Sequence, residues 1–286
     1  MRIDIGIAAN KNQDFQWWAA IVPEIARLVQ TGRIEIGKML VVSTATPDWS
    51  KNQISSYYLG PATTAENRTA IVAEHLDGPS DAIWWIDDDT VPPAGALERL
   101  LAVEQADIAA GIYYLRRPPF NPVCYKRLSD RSYAPLYDFQ VGEILEVDSV
   151  GMGCTLVRRH VYERIKAGYR LFRRADTGTM KAVHRDAVVE TRALAKQIKR
   201  HVGEVLVTDR GIVHVEEMHQ VDLPVGFPFY VMEFGRTEDH HFCEMARRVG
   251  CRIVVDTAVE CSHYGTVAVT GEDFRRVRWE AENESS

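Results

Sequence analysis

The chain has 286 residues, with 34 basic and 40 acidic side chains, a formal charge of −6 and 46% hydrophobic residues. That is room for one large or two small domains around a full core, which excludes a disordered chain and a disulfide-stapled miniature. No run of about 18 apolar residues occurs, so no membrane-spanning helix is expected.

The N-terminal third predicts alternating strands and helices. It opens on MRIDIGIAAN, where Ile3, Ile5 and Ile7 alternate with Asp4 and Gly6 as in a strand. No basic region precedes an apolar segment there, so no signal peptide is read. Over residues 14–30, Phe15, Trp18, Ala19, Val22, Ile25 and Val29 form the stripe of an amphipathic helix, with Asp14 as N-cap and Gly32 just past its end. Residues 39–42 form a second strand, and residues 65–76 a second helix stopped by Asp77-Gly78-Pro79. The third strand, residues 82–86, ends abruptly in Asp87-Asp88-Asp89. Pro92-Pro93 then opens a helix carrying Leu97, Leu100 and Leu101, and residues 108–114 give a fourth strand. This order implies a largely parallel sheet with helices on both faces, whose ligand crevice lies beyond the carboxyl ends of the strands. The three aspartates occupy that location.

The second half is less regular. Residues 115–130 read as a long loop, residues 143–157 as one or two strands interrupted by Gly151-Met152-Gly153, and residues 161–166 as a short helix. A further helix is expected from about Ala187. Thr237 starts another, with the stripe Phe242, Met245, Ala246 and Val249, ended by Gly250. Residues 253–255 and 258–261 are strand-like, and the last six residues are expected to fray. Five cysteines without CxxC spacing point to reduced, mostly buried thiols and a cytoplasmic setting. Charge is unevenly spread. Residues 158–210 hold 14 basic and 6 acidic side chains, a local +8, leaving −14 for the remainder.

Four constellations carry candidate chemistry. Three carboxylates at the exit of a buried strand repel one another unless a cation joins them, and oxygen ligands favour Mg²⁺ or Mn²⁺; helix capping explains them equally well. Strand alternation would aim Asp87 and Asp89 one way and Asp88 the other. Glu238 and Asp239 suit the first turn of a helix capped by Thr237, and a carboxylate held there also suits a general base. His240 and His241 are expected at the surface. Cys261-Ser262-His263-Tyr264-Gly265 follows a strand and carries a histidine that is structural or a ligand. The glycines of Val150-Gly151-Met152-Gly153-Cys154 suggest a bulge or a backbone approaching a ligand. HVEEMH (residues 214–219) lacks zinc-peptidase spacing.

In this order the segments AENRTAIVAEHL, WWIDDDTVPPAGALERLL, VGMGCTLVRRHVYERI, EFGRTEDHHFCEMARRVGCRIVVD and SHYG resemble the GT-A glycosyltransferases, family 2 most closely. The resemblance implies an α/β fold, GT-A, in which a Rossmann-like N-terminal half runs into a mixed central sheet. It implies one domain over residues 1–265, with a nucleotide-binding half (1–114), a catalytic and acceptor half (115–265) and a tail (266–286). Metal-dependent transfer of a sugar from a nucleotide-diphosphate sugar to an acceptor hydroxyl, with inversion, is the activity implied. Asp87 and Asp89 match the DxD pair and His263 the late histidine around Mn²⁺ or Mg²⁺. Asp239 matches the general base, with Glu238 binding the acceptor or orienting that base. Arg68 matches a recurrent arginine near the DxD loop. Ala8, Ala9, Asn10, Ser43 and Thr44 would meet the nucleotide, together with Asp87 and Asp88. The basic segments 116–131 and 158–210 fall on the acceptor side, so a polyanionic acceptor is one expectation: DNA with a modified base, a phosphorylated glycan or an anionic lipid carrier. Solvated surface charge is the other. A non-catalytic sugar-nucleotide or carbohydrate-binding protein, and a sugar-phosphate nucleotidyltransferase, are the alternatives.

Overall fold

The computed structural model describes residues 1–9, 15–43, 64–130, 132–174, 180–184, 205–208, 211–214, 218–220, 227–232, 236–264 and 268–284. Six helices lie among them: α1 (Phe15–Gln30), α2 (Thr64–Leu76), α3 (Ala96–Ala102), α4 (Arg159–Gly168), α5 (Glu238–Arg248) and α6 (Gly271–Glu284). The strands in the first half are β1 (Arg2–Ala9), β2 (Glu35–Ser43), β3 (Ala82–Ile86), β4 (Thr90–Val91), β5 (Ile108–Ile112), β6 (Cys124–Arg127) and β7 (Tyr133–Pro135). They continue as β8 (Ile144–Glu146), β9 (Ser149–Val150), β10 (Cys154–Arg158), β11 (Tyr169–Arg174), β12 (Met180–His184), β13 (Val205–Thr208), β14 (Gly211–His214) and β15 (Met218–Gln220). The last are β16 (Ile253–Glu260), β17 (Ser262–Tyr264) and β18 (Ala268–Val269).

Seven strands build the central sheet in the order β2-β1-β3-β10-β5-β16-β8. The expected parallel strands β1, β2, β3 and β5 are present, but β10 lies antiparallel between β3 and β5, and β8 antiparallel at the edge. The sheet is therefore mixed. β10 takes a central place because Thr155, Leu156 and Val157 are buried on both sides, as a strand covered on two faces requires.

Alternation along β3 sends Trp84 and Ile86 into one apolar layer and Ile83 and Trp85 into the other. The first layer packs beneath α1 and α3, and the second beneath α2, α4 and α5. The buried stripe of α1 is Ile21 and Leu28 with Trp18 and Ile25 beside them, while Val22 and Val29 are exposed. The expected stripe is thus rotated, because Glu24 also turns inward and accepts hydrogen bonds from Leu97 N and Glu98 N at the start of α3 (2.7 and 3.3 Å). That gives α3 the N-terminal carboxylate that Gly95 cannot supply.

The two expected strands after residue 253 are one continuous β16, and residues 271–284 are helical, with Phe274 buried against Tyr114. All five cysteines are free and buried. No helix among the described residues is long and apolar enough to cross a membrane. The helix expected from Ala187 lies outside the described residues.

Candidate functional site

β3 stops at Ile86 because the chain turns: Thr90 N donates to the Asp87 carbonyl at 3.1 Å. The turn, rather than strand alternation, directs Asp87 and Asp89 into one cleft of about 290 Å³, and Asp88 is not among the lining residues. Asp87 N also donates to the Gly153 carbonyl at 3.1 Å, tying the turn to the start of β10. The glycine pair has a packing cause. A Cβ on Gly151 would sit 1.8 Å from Tyr113 Oη, and one on Gly153 2.8 Å from Thr90 Oγ1. These glycines let Tyr113 form a wall of the cleft.

Arg68 rises from α2 beneath this turn and is only 2% exposed. Its Nη2 donates to Asp87 Oδ1 at 2.9 Å, and its Nε lies 3.7 Å from Glu238 Oε1 and 3.9 Å from Asp239 Oδ1. The Trp85 and Tyr230 rings flank the guanidinium at 5.7 and 5.9 Å. Burial alone would lower the Arg68 pKa, but Asp87, Asp239 and Glu238 outweigh it and raise it, so the cation is fixed. Arg68 is thus the charge that allows three carboxylates to share a floor.

α5 begins at Glu238 with Thr237 extended at its N-cap position, yet the threonine side chain makes no capping bond. The helix start presents its acids inward instead. Burial, with Glu238 and Asp87 nearby, pushes the Asp239 carboxyl up to about 8 against the opposing pull of Arg68. Asp87 is raised in the same direction, first by burial and then by Asp89, Glu238 and Asp88.

His263 arrives from the far end of the chain. β17 pairs with β4, placing His263 opposite Thr90, and Tyr264 N donates to the Asp89 carbonyl at 2.7 Å. His263 Nδ1 lies 2.7 Å from the Tyr114 carbonyl, which can only accept, so Nδ1 carries a proton. Its Nε2 is 3.5 Å from Asp89 Oδ1, and Arg116 Nη1 is 3.0 Å from Asp89 Oδ2. His263 and Arg116 hold the Asp89 carboxyl below its usual range, against its burial.

Ala8 is buried in β1. Gly6 pairs with Trp85, which brings Ala8 and Asp87 to the same end of neighbouring parallel strands. Ala9 pairs with Ser43 at the ends of β1 and β2, while Asn10 and Thr44 lie outside the described residues, as do most of residues 175–210. Of the basic segments that are described, Arg127 pairs with Glu244 at 3.6 Å, Arg164 with Asp107 at 3.6 Å, and Arg159 donates to carbonyls at the end of α2. Those charges hold the fold.

Sequence reasoning passed over Arg116 as a cleft residue and put His240 at the surface. His240 is instead half-buried, stacked on Tyr133 at 4.4 Å and edge-on to Tyr125 at 4.6 Å, with Nδ1 2.7 Å from Ser149 Oγ. Burial lowers its pKa to about 4, so it is neutral. Its place directly after Asp239, in the first turn of a buried helix, is the signal that would have found it.

No protein-family profile matches the chain, and no curated protein matches it in sequence. Among solved structures the chain is similar to A197 from STIV, with 14% identity over 95% of this chain and 91% of that one and a TM-score of 0.46. A likeness of that size carries no argument about fold family or activity, which leaves the cleft itself as the ground for a functional reading.

Proposed function

We propose that the protein is a GT-A glycosyltransferase, similar to family 2, that moves a sugar from a nucleotide-diphosphate sugar to an acceptor hydroxyl. The observation that carries this reading is the convergence on one cleft of Asp87 and Asp89 after β3, Glu238 and Asp239 at the start of α5, and His263 on β17, with Arg68 beneath. Capping and solvation do not account for that gathering, because Asp87 and Asp239 are held above their ordinary carboxylate range by burial.

The residues present fit a divalent ion in part. No group of three or more His, Cys, Asp or Glu side chains ready to hold one is found among the described residues. Asp89 and His263 nevertheless aim an oxygen and a ring nitrogen at each other across 3.5 Å, and four carboxylates outnumber the two arginines of the cleft. Asp89 and His263 would hold Mn²⁺ or Mg²⁺. Such an ion supplies Lewis-acid stabilisation of the leaving diphosphate.

Within the chain, Asp239 would take the proton of the acceptor hydroxyl as that oxygen attacks the anomeric carbon. The bond from that carbon to the diphosphate breaks, and its electron pair stays on the diphosphate oxygen. Glu238 and Arg68 keep Asp239 in place, and Tyr113 and His240 wall the cleft. Attack from the face opposite the leaving group inverts the anomeric centre. The acceptor is proposed as a polyanion on the local +8 of residues 158–210, of which Arg158, Arg159 and Arg164 are already engaged within the fold, and the compartment as the cytoplasm. A panel of nucleotide sugars and acceptors incubated with and without Mn²⁺ is expected to release nucleoside diphosphate with at least one donor, and NMR of the product to give the inverted anomer. No release with any donor would remove the reading, and a retained anomer would remove Asp239 from the base role.

A further inference from the structure

Arg116 belongs to a segment whose basic residues were expected on the acceptor side, yet it turns back towards the aspartates. Leu115 N donates to the Asn121 carbonyl at 2.9 Å, and Tyr114 bridges to Pro122, so Arg116 stands on a short closed loop after β5. One nitrogen, Nη1, does all its described bonding: it lies 3.0 Å from Asp89 Oδ2 and donates to the Tyr264 carbonyl at 3.0 Å. Guanidinium carries five N–H donors in a rigid fork, a good match for phosphoryl oxygens. Its Nε and Nη2 make no hydrogen bond among the described residues, and the side chain, 45% exposed, lines the cleft.

The two arginines of the cleft therefore differ in kind. Arg68 is locked under three carboxylates, whereas Arg116 is anchored at one corner and open at the rest. The pairing with Asp89 also occupies one oxygen of the carboxylate that a divalent ion would use. We propose that Arg116 is a diphosphate-binding residue that also competes with a divalent cation for Asp89. The inference rests on the glycosyl-transfer reading and deepens it. The leaving diphosphate keeps the electron pair of the broken bond, and Arg116 meets that charge with N–H donors while giving up no proton, since guanidinium stays protonated.

The two roles give opposite signs in one variant. Titration calorimetry would compare the whole chain with Arg116→Ala, Arg116→Lys and the remote control Arg33→Ala, using Mn²⁺ alone and then inorganic pyrophosphate at saturating Mn²⁺. In Arg116→Ala, Mn²⁺ alone is expected to bind several-fold more tightly, since a competing cation has gone, while pyrophosphate binds about ten-fold or more weakly, in line with the loss of charge-assisted hydrogen bonds. Arg116→Lys falls between on pyrophosphate, and Arg33→Ala matches the wild type on both. A general loss of folding would weaken both ligands together, and circular dichroism would register it. Unchanged pyrophosphate affinity in Arg116→Ala, with the wild type binding both ligands, overturns the role of Arg116 and leaves the glycosyl-transfer reading standing. A wild type that binds neither Mn²⁺ nor pyrophosphate removes both.

Discussion

Two clusters of buried charge lie on the same sheet and are finished differently. Near the start of β1, both oxygens of Asp4 are taken: Oδ1 accepts from Lys38 N at 2.6 Å and Ser80 Oγ at 2.7 Å, and Oδ2 meets His75 Nδ1 at 2.7 Å. That cluster ties β1, β2 and α2 to the turn before β3, with His75 Nε2 left unpartnered. At the other end of the strands, Arg68 Nε and Nη1 and Asp239 Oδ1 are all buried without a hydrogen bond. Both clusters contain the residue types of a catalytic site, Asp, His and Ser in the first case. What separates them is completion, since the first has used up its acceptor and the second keeps capacity next to an open cleft. An unmet polar atom at a cleft is a better pointer to chemistry than the identity of the residues around it.

Substitutions at the two clusters should therefore fail in different ways. The largest effect is expected for Asp239→Asn, which would lower turnover by about 10²–10⁴-fold, the usual worth of a general base, with donor binding retained; steady-state transfer and calorimetry separate the two. Arg68→Met would strip the cation from Asp87, Glu238 and Asp239, and is expected to cost about 3–5 kcal/mol of stability in urea unfolding. Asp4→Asn, which keeps one acceptor oxygen and loses the charge, is expected to cost about 1–3 kcal/mol and to leave the turnover of folded protein near wild type. A large loss of turnover in Asp4→Asn would erase the distinction between the clusters.

The smallest effect is one of pH. The Asp239 carboxyl is raised above its unfolded value, so its contribution to stability is complete below the unfolded pKa and is lost as pH climbs through about 8. Asp239→Asn should thus gain unfolding midpoint relative to wild type between pH 5 and pH 9. Over the same window wild-type kcat/KM should rise as the base loses its proton. A pH-independent difference in midpoint would mean that Asp239 titrates normally.

Much of the first half was legible, because Ile3, Ile5 and Ile7 advertise a strand and the charge at Asp87 marks where one stops. The stripe of α1 was misread because Glu24, an acid on a nominally outer face, turns in to cap a helix more than 70 residues away. The place of β10 was not legible, since antiparallel insertion between two parallel strands depends on pairing with Trp84 and Ala109, far from it in sequence. In the candidate site, Asp87, Asp89, Glu238, Asp239 and His263 stood out as polar groups at the ends of apolar elements. Arg116 did not, because the direction of a loop side chain is set by the closure between Leu115 and Asn121, which has no periodicity to read.

The short pairing of β17 with β4 has a consequence for assembly. It joins the strand carrying His263 to the turn carrying Asp89 across more than half the chain, so this corner of the cleft closes through one of the least local strand pairings among the described residues. During synthesis the aspartates are made long before their histidine. This corner of the cleft is thus completed only once residue 263 has been made, and β17 reaches it directly from the end of β16 in the central sheet.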